Sequence, residues 1–183
     1  MIFAHVPRGR RTSQRTLHVV DIIPLEPGMA VAAQLSEADI ALAAARGFRA
    51  VVAVRPDGEA PDQLLQADAA EAAEKRGLAF RYLPVSGASV IDDDTVAAFA
   101  RLMEELPGPV LFYCGTGTRC AILWSQAAAP RLGIDAVLAT MREAGYALEV
   151  LRDTLQERSR SQWRAAAPEQ PTTKFAPIQM SDV

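Results

Sequence analysis

The chain has 183 residues, half of them hydrophobic and 22% charged, which suits one domain with a sizeable core. A net charge of -3 and an isoelectric point near 5.4 exclude the basic footprint of a nucleic-acid binder. No internal repeat marks a solenoid, and no apolar run approaches the roughly 18 residues that a membrane span needs.

Residues 1–16 carry Arg8, Arg10, Arg11 and Arg15 and read as a basic arm. Arg10 and Arg11 are followed by Thr12, Ser13, Gln14 and Arg15 rather than a long apolar stretch, so the segment does not fit a twin-arginine export signal. Leu17 to Ile23 reads as a strand ended by Pro24, and Pro27-Gly28 as a turn. Met29 to Ala33 forms a second short strand. Ser36 is an N-cap with Asp39 at the capping-box position, opening a helix that Gly47 ends. Ala50 to Val54 is a continuous apolar run, as for a strand buried on both faces.

A charged loop follows, from Arg55 to Pro61. Asp62 to Arg76 reads as a helix, Ala79 to Val85 as a strand and Ser86 to Ile91 as a loop. Asp93 or Asp94 caps a helix whose Val96, Phe99, Leu102, Met103 and Leu106 follow the helical period, stopped by Pro107-Gly108-Pro109. Val110 to Tyr113 is a fully apolar strand. Helices are expected over about 119–129, 135–144 and 148–163, then a Pro-, Thr- and Gln-rich tail over 165–183 that reads as poorly ordered. The domain proper is placed at 17–164.

Alternating strands and helices predict an α/β fold with a mainly parallel sheet of four to five strands, flanked by helices. Sites in such sheets lie beyond the carboxyl ends of the strands, where Arg55-Pro56-Asp57 and Cys114 to Arg119 both fall.

The second of these loops carries the chemistry. A buried strand runs directly into Cys114. Gly115 and Gly117 permit backbone with φ > 0, so amides across Gly115, Thr116, Gly117, Thr118 and Arg119 can turn inward as an anion nest. The next helix aims its N-terminus at the same point, and Arg119 supplies a planar cation suited to oxyanions. All three favour a thiolate, which lowers a cysteine from about 8.5 towards roughly 3.5–7.5 in such surroundings. Cys114 is thus a nucleophile activated without a histidine base. The chain's two histidines, His5 and His18, lie near its start, and no metal-ligand cluster stands out, so neither metal nor cofactor is expected. Two cysteines are too few for a disulfide scaffold, and reduced thiols point to a cytoplasmic setting.

Several separated motifs, spread over roughly residues 19 to 152, resemble one family. They are Gln34-Leu35-Ser36 with Asp39; Gly47-Phe48-Arg49 leading to Arg55-Pro56-Asp57-Gly58-Glu59; Tyr82-Leu83-Pro84-Val85; Pro109 through Cys114 to Gly117-Thr118-Arg119; and then Leu123-Trp124 and Ala144-Gly145-Tyr146. The chain resembles the bacterial phosphatase-like domain that also occurs fused to β-lactamase-like hydrolases of persulfide metabolism. The resemblance implies a protein-tyrosine or dual-specificity phosphatase fold, and a persulfide-oxidising hydrolase as partner. The chain departs from the family at Gly115 and Thr116, where members often have Arg and Ser, and at Cys120, where they usually have Ser. A missing Arg weakens the local positive field.

Two features favour sulfur over phosphorus as cargo. Cysteine phosphatases resemble one another in having His before the cysteine and five residues between Cys and Arg. This chain has Tyr113 and four intervening residues, like rhodaneses. The loop over 86–90, where a general acid is expected, holds no carboxylate. The expected activity is therefore a sulfurtransferase that forms a Cys114 persulfide from thiosulfate or a small persulfide. The alternative is a cysteine phosphatase using Cys114 and Arg119. A second alternative is a non-catalytic persulfide or redox sensor, or an interaction module. The substrate is a small anion of sulfur or phosphate in either enzymatic case. Arg55, Asp57 and Ser86 are candidates for supporting the site. Asp57 fits a turn and site support better than proton donation. Cys120 either packs beneath its helix or resolves an oxidised or persulfidated Cys114.

Overall fold

The computed structural model describes residues 20–166, with side chains as far as residue 160. The arm over 1–16, the start of the expected first strand and the tail from 167 lie outside the described residues. Ala165 and Ala166, expected in the tail, still belong to the last helix.

Among the described residues five strands form one sheet in the order β1-β2-β5-β3-β4. They are β1 (Ile22–Glu26), β2 (Met29–Ala32), β3 (Ala50–Ala53), β4 (Ala79–Tyr82) and β5 (Val110–Tyr113). β1 pairs antiparallel with β2, and the other pairings are parallel. The chain is thus the expected α/β fold.

β1 corrects the first expected strand. Pro24 does not end it; the strand runs through Pro24 to Glu26, with an irregularity in its pairing between those two residues. An edge strand tolerates proline because one side of its backbone has no ladder partner to lose. β4 stops at Tyr82 rather than Val85, and the loop after it contains a short 3-10 helix over Ala88–Ile91.

Among the described residues six α-helices cover the sheet: α1 (Glu37–Ala45), α2 (Gln66–Glu74), α3 (Asp93–Glu105), α4 (Thr118–Leu132), α5 (Ile134–Glu143) and α6 (Arg152–Ala166). Side chains alternate across each strand and so build two cores. Ala30, Ala32, Val51, Ala53, Leu111 and Tyr113 face α1 and α2. Val31, Val52, Val54, Phe112 and Cys114 face the α3–α6 side, where the rings of Phe99 and Phe112 stand 4.4 Å apart.

The expected capping box is present: Asp39 N–H donates to Ser36 Oγ, and Ser36 N–H donates to Asp39 Oδ2. α2 begins four residues later than expected, at Gln66 instead of Asp62. The N-cap of α3 is Asp92, not Asp93 or Asp94, and its side chain makes no capping bond. Asp93 instead pairs with Arg158 of α6 at 2.8 Å. α4 continues through Pro130 to Leu132, and the last expected helix splits into a 3-10 turn over Glu149–Leu151 and α6. Among the described residues, no helix is long and apolar enough to cross a membrane.

Candidate functional site

The parallel register sets Ala32, Tyr113 and Ala53 level across β2, β5 and β3. Beyond that line the three chains diverge into loops, and the central one carries Cys114. Its N–H donates to Ala32 O at 3.3 Å, and Gln34 N–H donates to Gly115 O at 3.3 Å. The loop after β2 thus braces one side of the cysteine loop, and the loop after β3 closes the other.

Alternation places Tyr113 on the α1–α2 side and Cys114 on the α4 side. Burial of the Tyr113 phenol pushes its pKa up, so Tyr113 stays neutral. Cys114 is 1% exposed and lies at the bottom of the loop. Gly117 N–H donates to its Sγ at 3.1 Å. Gly117 has φ +83° and serves as the N-cap of α4, so the helix starts directly over the sulfur.

The Cys114 thiol is lowered from 9.0 to about 5. The largest cause is a hydrogen bond from the Cys120 thiol; burial opposes it, and the amides of Thr116, Cys120 and Arg119 add to it. The expected inward nest is therefore present in part. Thr118 is an exception: its N–H turns to Thr116 Oγ1 at 3.5 Å. Thr116 and Thr118 hydroxyls also meet at 2.9 Å.

Cys120 is fully buried in the first turn of α4. Its own pKa is pushed well up, first by burial and then by the Cys114 thiolate that it faces. It therefore holds its proton and donates it to Cys114. Cys120 thus packs beneath its helix, the first of the two readings of this residue, and from there it faces the nucleophile.

Arg119 is less free than its position in the sequence implies. Nη1 donates to Glu59 Oε1 at 2.9 Å and to Val85 O at 2.7 Å, and Nη2 donates to Glu59 Oε2 at 2.5 Å. Glu59 also accepts from Arg55 Nε at 3.0 Å, while Arg55 Nη1 donates to Gln34 Oε1 at 3.0 Å. The two guanidiniums flank Gly115: a Cβ there would meet Arg119 Nη2 and Arg55 Nε at 3.7 Å each. Both distances are ordinary van der Waals contact, so a Cβ on residue 115 would fit between the two guanidiniums. Three of the five Arg119 N–H donors are used, which leaves Nε–H and one Nη2–H for an oxyanion.

Glu59 was not singled out as a site residue by its sequence context. Its one local signal is the four-residue spacing from Arg55, which reads as an ordinary ion pair. Hydrogen bonding from Arg119 lowers its pKa, burial opposes, and Arg55 adds to the lowering. Glu59 is therefore a carboxylate at neutral pH.

Asp57 is engaged as well. Its Oδ1 accepts from Gln66 N–H at 2.9 Å, at the start of α2, and its own N–H donates to Tyr82 Oη at 3.0 Å. Asp57 thus supports the loop that carries Glu59. Ser86 does not reach the cysteine loop with its side chain; its Oγ bonds Ser89 Oγ at 3.1 Å. The contribution of this segment is the neighbouring carbonyl of Val85.

Tyr146 closes the far side. An added Cβ on Gly117 would lie 2.3 Å from Tyr146 Oη, so the phenol rests directly on the loop backbone. Its pKa is pushed up to about 12, by burial first and then by the two cysteines. A cleft of about 460 Å³ opens beside the loop, lined by Val20, Asp21, Ile23, Gln34, Thr116 and Tyr146 among others. Among the described residues, no His, Cys, Asp and Glu cluster is placed to hold a metal ion.

The arrangement offers an ionised, buried sulfur nucleophile beneath inward amides and beside a fixed guanidinium. Such a site can hold a small oxyanion and attack its central atom.

Comparison with known proteins agrees with this geometry. A curated β-lactamase hydrolase-like protein of Xylella fastidiosa is 36% identical over 105 residues, 57% of this chain and 24% of that protein. The corresponding protein of Agrobacterium fabrum is 35% identical over 96 residues, 52% of this chain and 22% of that protein. The chain thus spans about a quarter of the length of these relatives. A crystal structure of a candidate phosphatase from Neisseria meningitidis is 31% identical, covers 75% of this chain and 97% of its own, and superposes with a TM-score of 0.68. A candidate phosphatase from Shewanella putrefaciens shares the fold at 18% identity and a TM-score of 0.61, covering 79% and 94% of the two chains. Residues 21–130 match the family described as "Beta-lactamase hydrolase-like protein, phosphatase-like domain", and the chain belongs to that family.

Proposed function

We propose that the domain is a cysteine-dependent phosphoester hydrolase. The observation that carries this reading is the Cys114 thiolate, held low under the loop amides and beside Arg119 on a phosphatase-like fold. The phosphatase candidate at 31% identity adds to it. These findings favour phosphoryl chemistry over the sulfur transfer expected from loop length and from the lack of a carboxylate over 86–90.

In the proposed reaction the loop amides and Arg119 hold the non-bridging oxygens. Cys114 sulfur attacks phosphorus in line, a P–S bond forms, and the P–O bond to the leaving group breaks. Water then attacks phosphorus, the P–S bond breaks, and phosphate leaves with Cys114 restored as a thiolate. The cleft lined by Gln34, Thr116 and Tyr146 seats the rest of the substrate.

Two observations favour a second reading, sulfur transfer. Asp57 and Glu59, two of the carboxylates carried by the loop after β3, are both held by other groups. Four residues also separate Cys114 from Arg119. A sulfite leaving group needs no proton, whereas an alkoxide does. Under this reading Cys114 attacks the outer sulfur of thiosulfate, the S–S bond breaks, sulfite leaves, and the persulfide passes to a thiol. A persulfide-oxidising hydrolase is the companion proposed for that case.

A side-by-side assay of aryl phosphate hydrolysis and thiosulfate-to-cyanide transfer separates the two. Phosphate release that disappears in Cys114→Ser is the expected result. Thiocyanate formation without phosphate release overturns the first reading in favour of the second. Neither activity returns the domain to a non-catalytic sensor or module.

A further inference from the structure

We propose that Cys114 and Cys120 form a redox-active dithiol pair, closed to an internal disulfide by peroxides and reopened by dithiol reductants. The inference holds for either cargo, because it concerns the two sulfurs and not the transferred group.

The geometry supplies the first requirement. The two side chains meet inside one core: Cys120 is fully buried, Cys114 is 1% exposed, and Gly117, the N-cap of the helix whose first turn holds Cys120, donates its N–H to Cys114 Sγ at 3.1 Å. They are the chain's two cysteines, six positions apart, and the loop joining them contains Gly115 and Gly117. A disulfide needs the two sulfurs to close to about 2.05 Å. Two glycines give the intervening backbone freedom to follow.

The chemistry supplies the second. Cys114 is the ionised sulfur, and peroxides react with thiolates rather than thiols. Its sulfur attacks one peroxide oxygen and the O–O bond breaks. The other oxygen leaves as hydroxide and takes up a proton to become water. Cys114 is thereby oxidised by two electrons to a sulfenic acid, and the peroxide is reduced.

Oxidation then changes Cys120. Two of the causes that hold its proton in place are its hydrogen bond to Cys114 and the charge on that thiolate. Both end when Cys114 becomes an uncharged sulfenic acid. Arg119, whose charge already favours the Cys120 thiolate, remains. Cys120 sulfur attacks Cys114 sulfur and its proton joins the departing hydroxyl. The S–O bond breaks, water leaves, and the S–S bond forms. A dithiol reductant reverses the bridge by exchange, ending as its own disulfide. A serine at position 120 could donate the same hydrogen bond but could not close the bridge. The bridge also protects Cys114 from the irreversible sulfinic and sulfonic steps.

The test uses the full chain and hydrogen peroxide. After exposure, unreacted thiols are alkylated and the protein is digested with trypsin without reduction. Arg119 lies between the cysteines, so cleavage there puts them on separate peptides, 102–119 and 120–131. The expected result is one linked pair that separates on reduction, in a protein lighter by two hydrogen atoms. Cys120→Ser, exposed in parallel, gains two or three oxygens on Cys114, and a dithiol does not remove them. Wild-type Cys114 reaching sulfinic acid while Cys120 is still alkylated overturns the proposal, as does a bridge between two chains in place of the internal one. The wild-type peptide map decides the matter even if the variant does not fold, and its mass readout is independent of which activity the domain has.

Discussion

Glu59 grips Arg119 with both carboxylate oxygens, at 2.9 and 2.5 Å, and reaches Arg55 with the second. One carboxylate thus fixes the planes of two guanidiniums on either side of Gly115. Planar two-point contact limits how Arg119 can turn, so its remaining N–H groups face one direction.

Glu59→Gln keeps the shape and removes the charge. We expect kcat/KM for an anionic substrate to fall about tenfold, the equivalent of about 1.4 kcal/mol. Steady-state kinetics checks it. A rise in kcat/KM would instead show Glu59 competing with substrate for Arg119. The sign of the pH effect on folding follows from the lowered pKa. The contribution of Glu59 is complete above the ordinary carboxylate value of 4.5 and is lost as pH falls through the lower folded value.

Cys114 titrates at about 5 against 9.0 when unperturbed. Iodoacetamide alkylation of wild type should reach half its plateau rate near pH 5. Cys120→Ala, which removes the largest cause of lowering, should move that midpoint up, and Cys120→Ser should move it less. Folding stability carries the same signature. Between pH 5 and 9 Cys114 is ionised in the fold and protonated in the unfolded chain, so its contribution grows as pH rises. Cys114→Ala should flatten that slope. Cys120, with its pKa raised, acts in the opposite sense only above 9.0. Urea unfolding at several pH values measures both.

The parts of this site that were legible before the structure are the local ones. An apolar run into Cys114, glycines at 115 and 117, and a helix beginning beside Arg119 are contiguous, so the chain itself dictates their arrangement. The Ser36–Asp39 box is likewise local. The grip of Glu59 on Arg119 spans 60 positions and depends on β3 lying beside β5, a pairing that hydrophobic period does not encode. Tyr146 reaches Gly117 only because α5 packs on α4, so its match to a family motif said nothing of contact. Pro24 misled because proline ends a central strand but is tolerated on an edge, and edge position is a property of the whole sheet.

Asp57 caps the start of α2 with its side chain. Its Oδ1 takes the first amide of α2, one of the donors that a helix start leaves without a partner. Asp57→Ala should lower stability by about 1 kcal/mol, the usual cost of losing a helix cap. Asp57→Asn keeps an acceptor oxygen there and should leave kcat close to wild type. A general acid would lose about 10²–10⁴ in rate on the same change. A drop of that size, with the basic limb of the pH–rate profile gone, would reassign Asp57 to the chemistry and lift one argument for sulfur transfer.

Gly117 and Tyr146 should prove coupled. Gly117→Ala adds a Cβ at φ +83°, a conformation that costs an L-residue roughly 1–2 kcal/mol by itself. That Cβ would also stand 2.3 Å from Tyr146 Oη and 3.4 Å from Ala32 O, so the phenol must leave or the loop must shift. A shift of the loop moves the Gly117 N–H away from Cys114 Sγ, and the alkylation midpoint should rise with the loss of stability. Tyr146→Phe removes the oxygen that makes the closest contact, leaving Cζ at 3.4 Å. Gly117→Ala should therefore cost less in the Tyr146→Phe background, by a coupling of about 0.5–3 kcal/mol as for residues in contact. The backbone cost at residue 117 remains in both backgrounds, so the double variant should not recover fully. Strict additivity in urea unfolding would mean that Tyr146 and Gly117 do not touch, and that the loop is free to lift from the phenol when substrate binds.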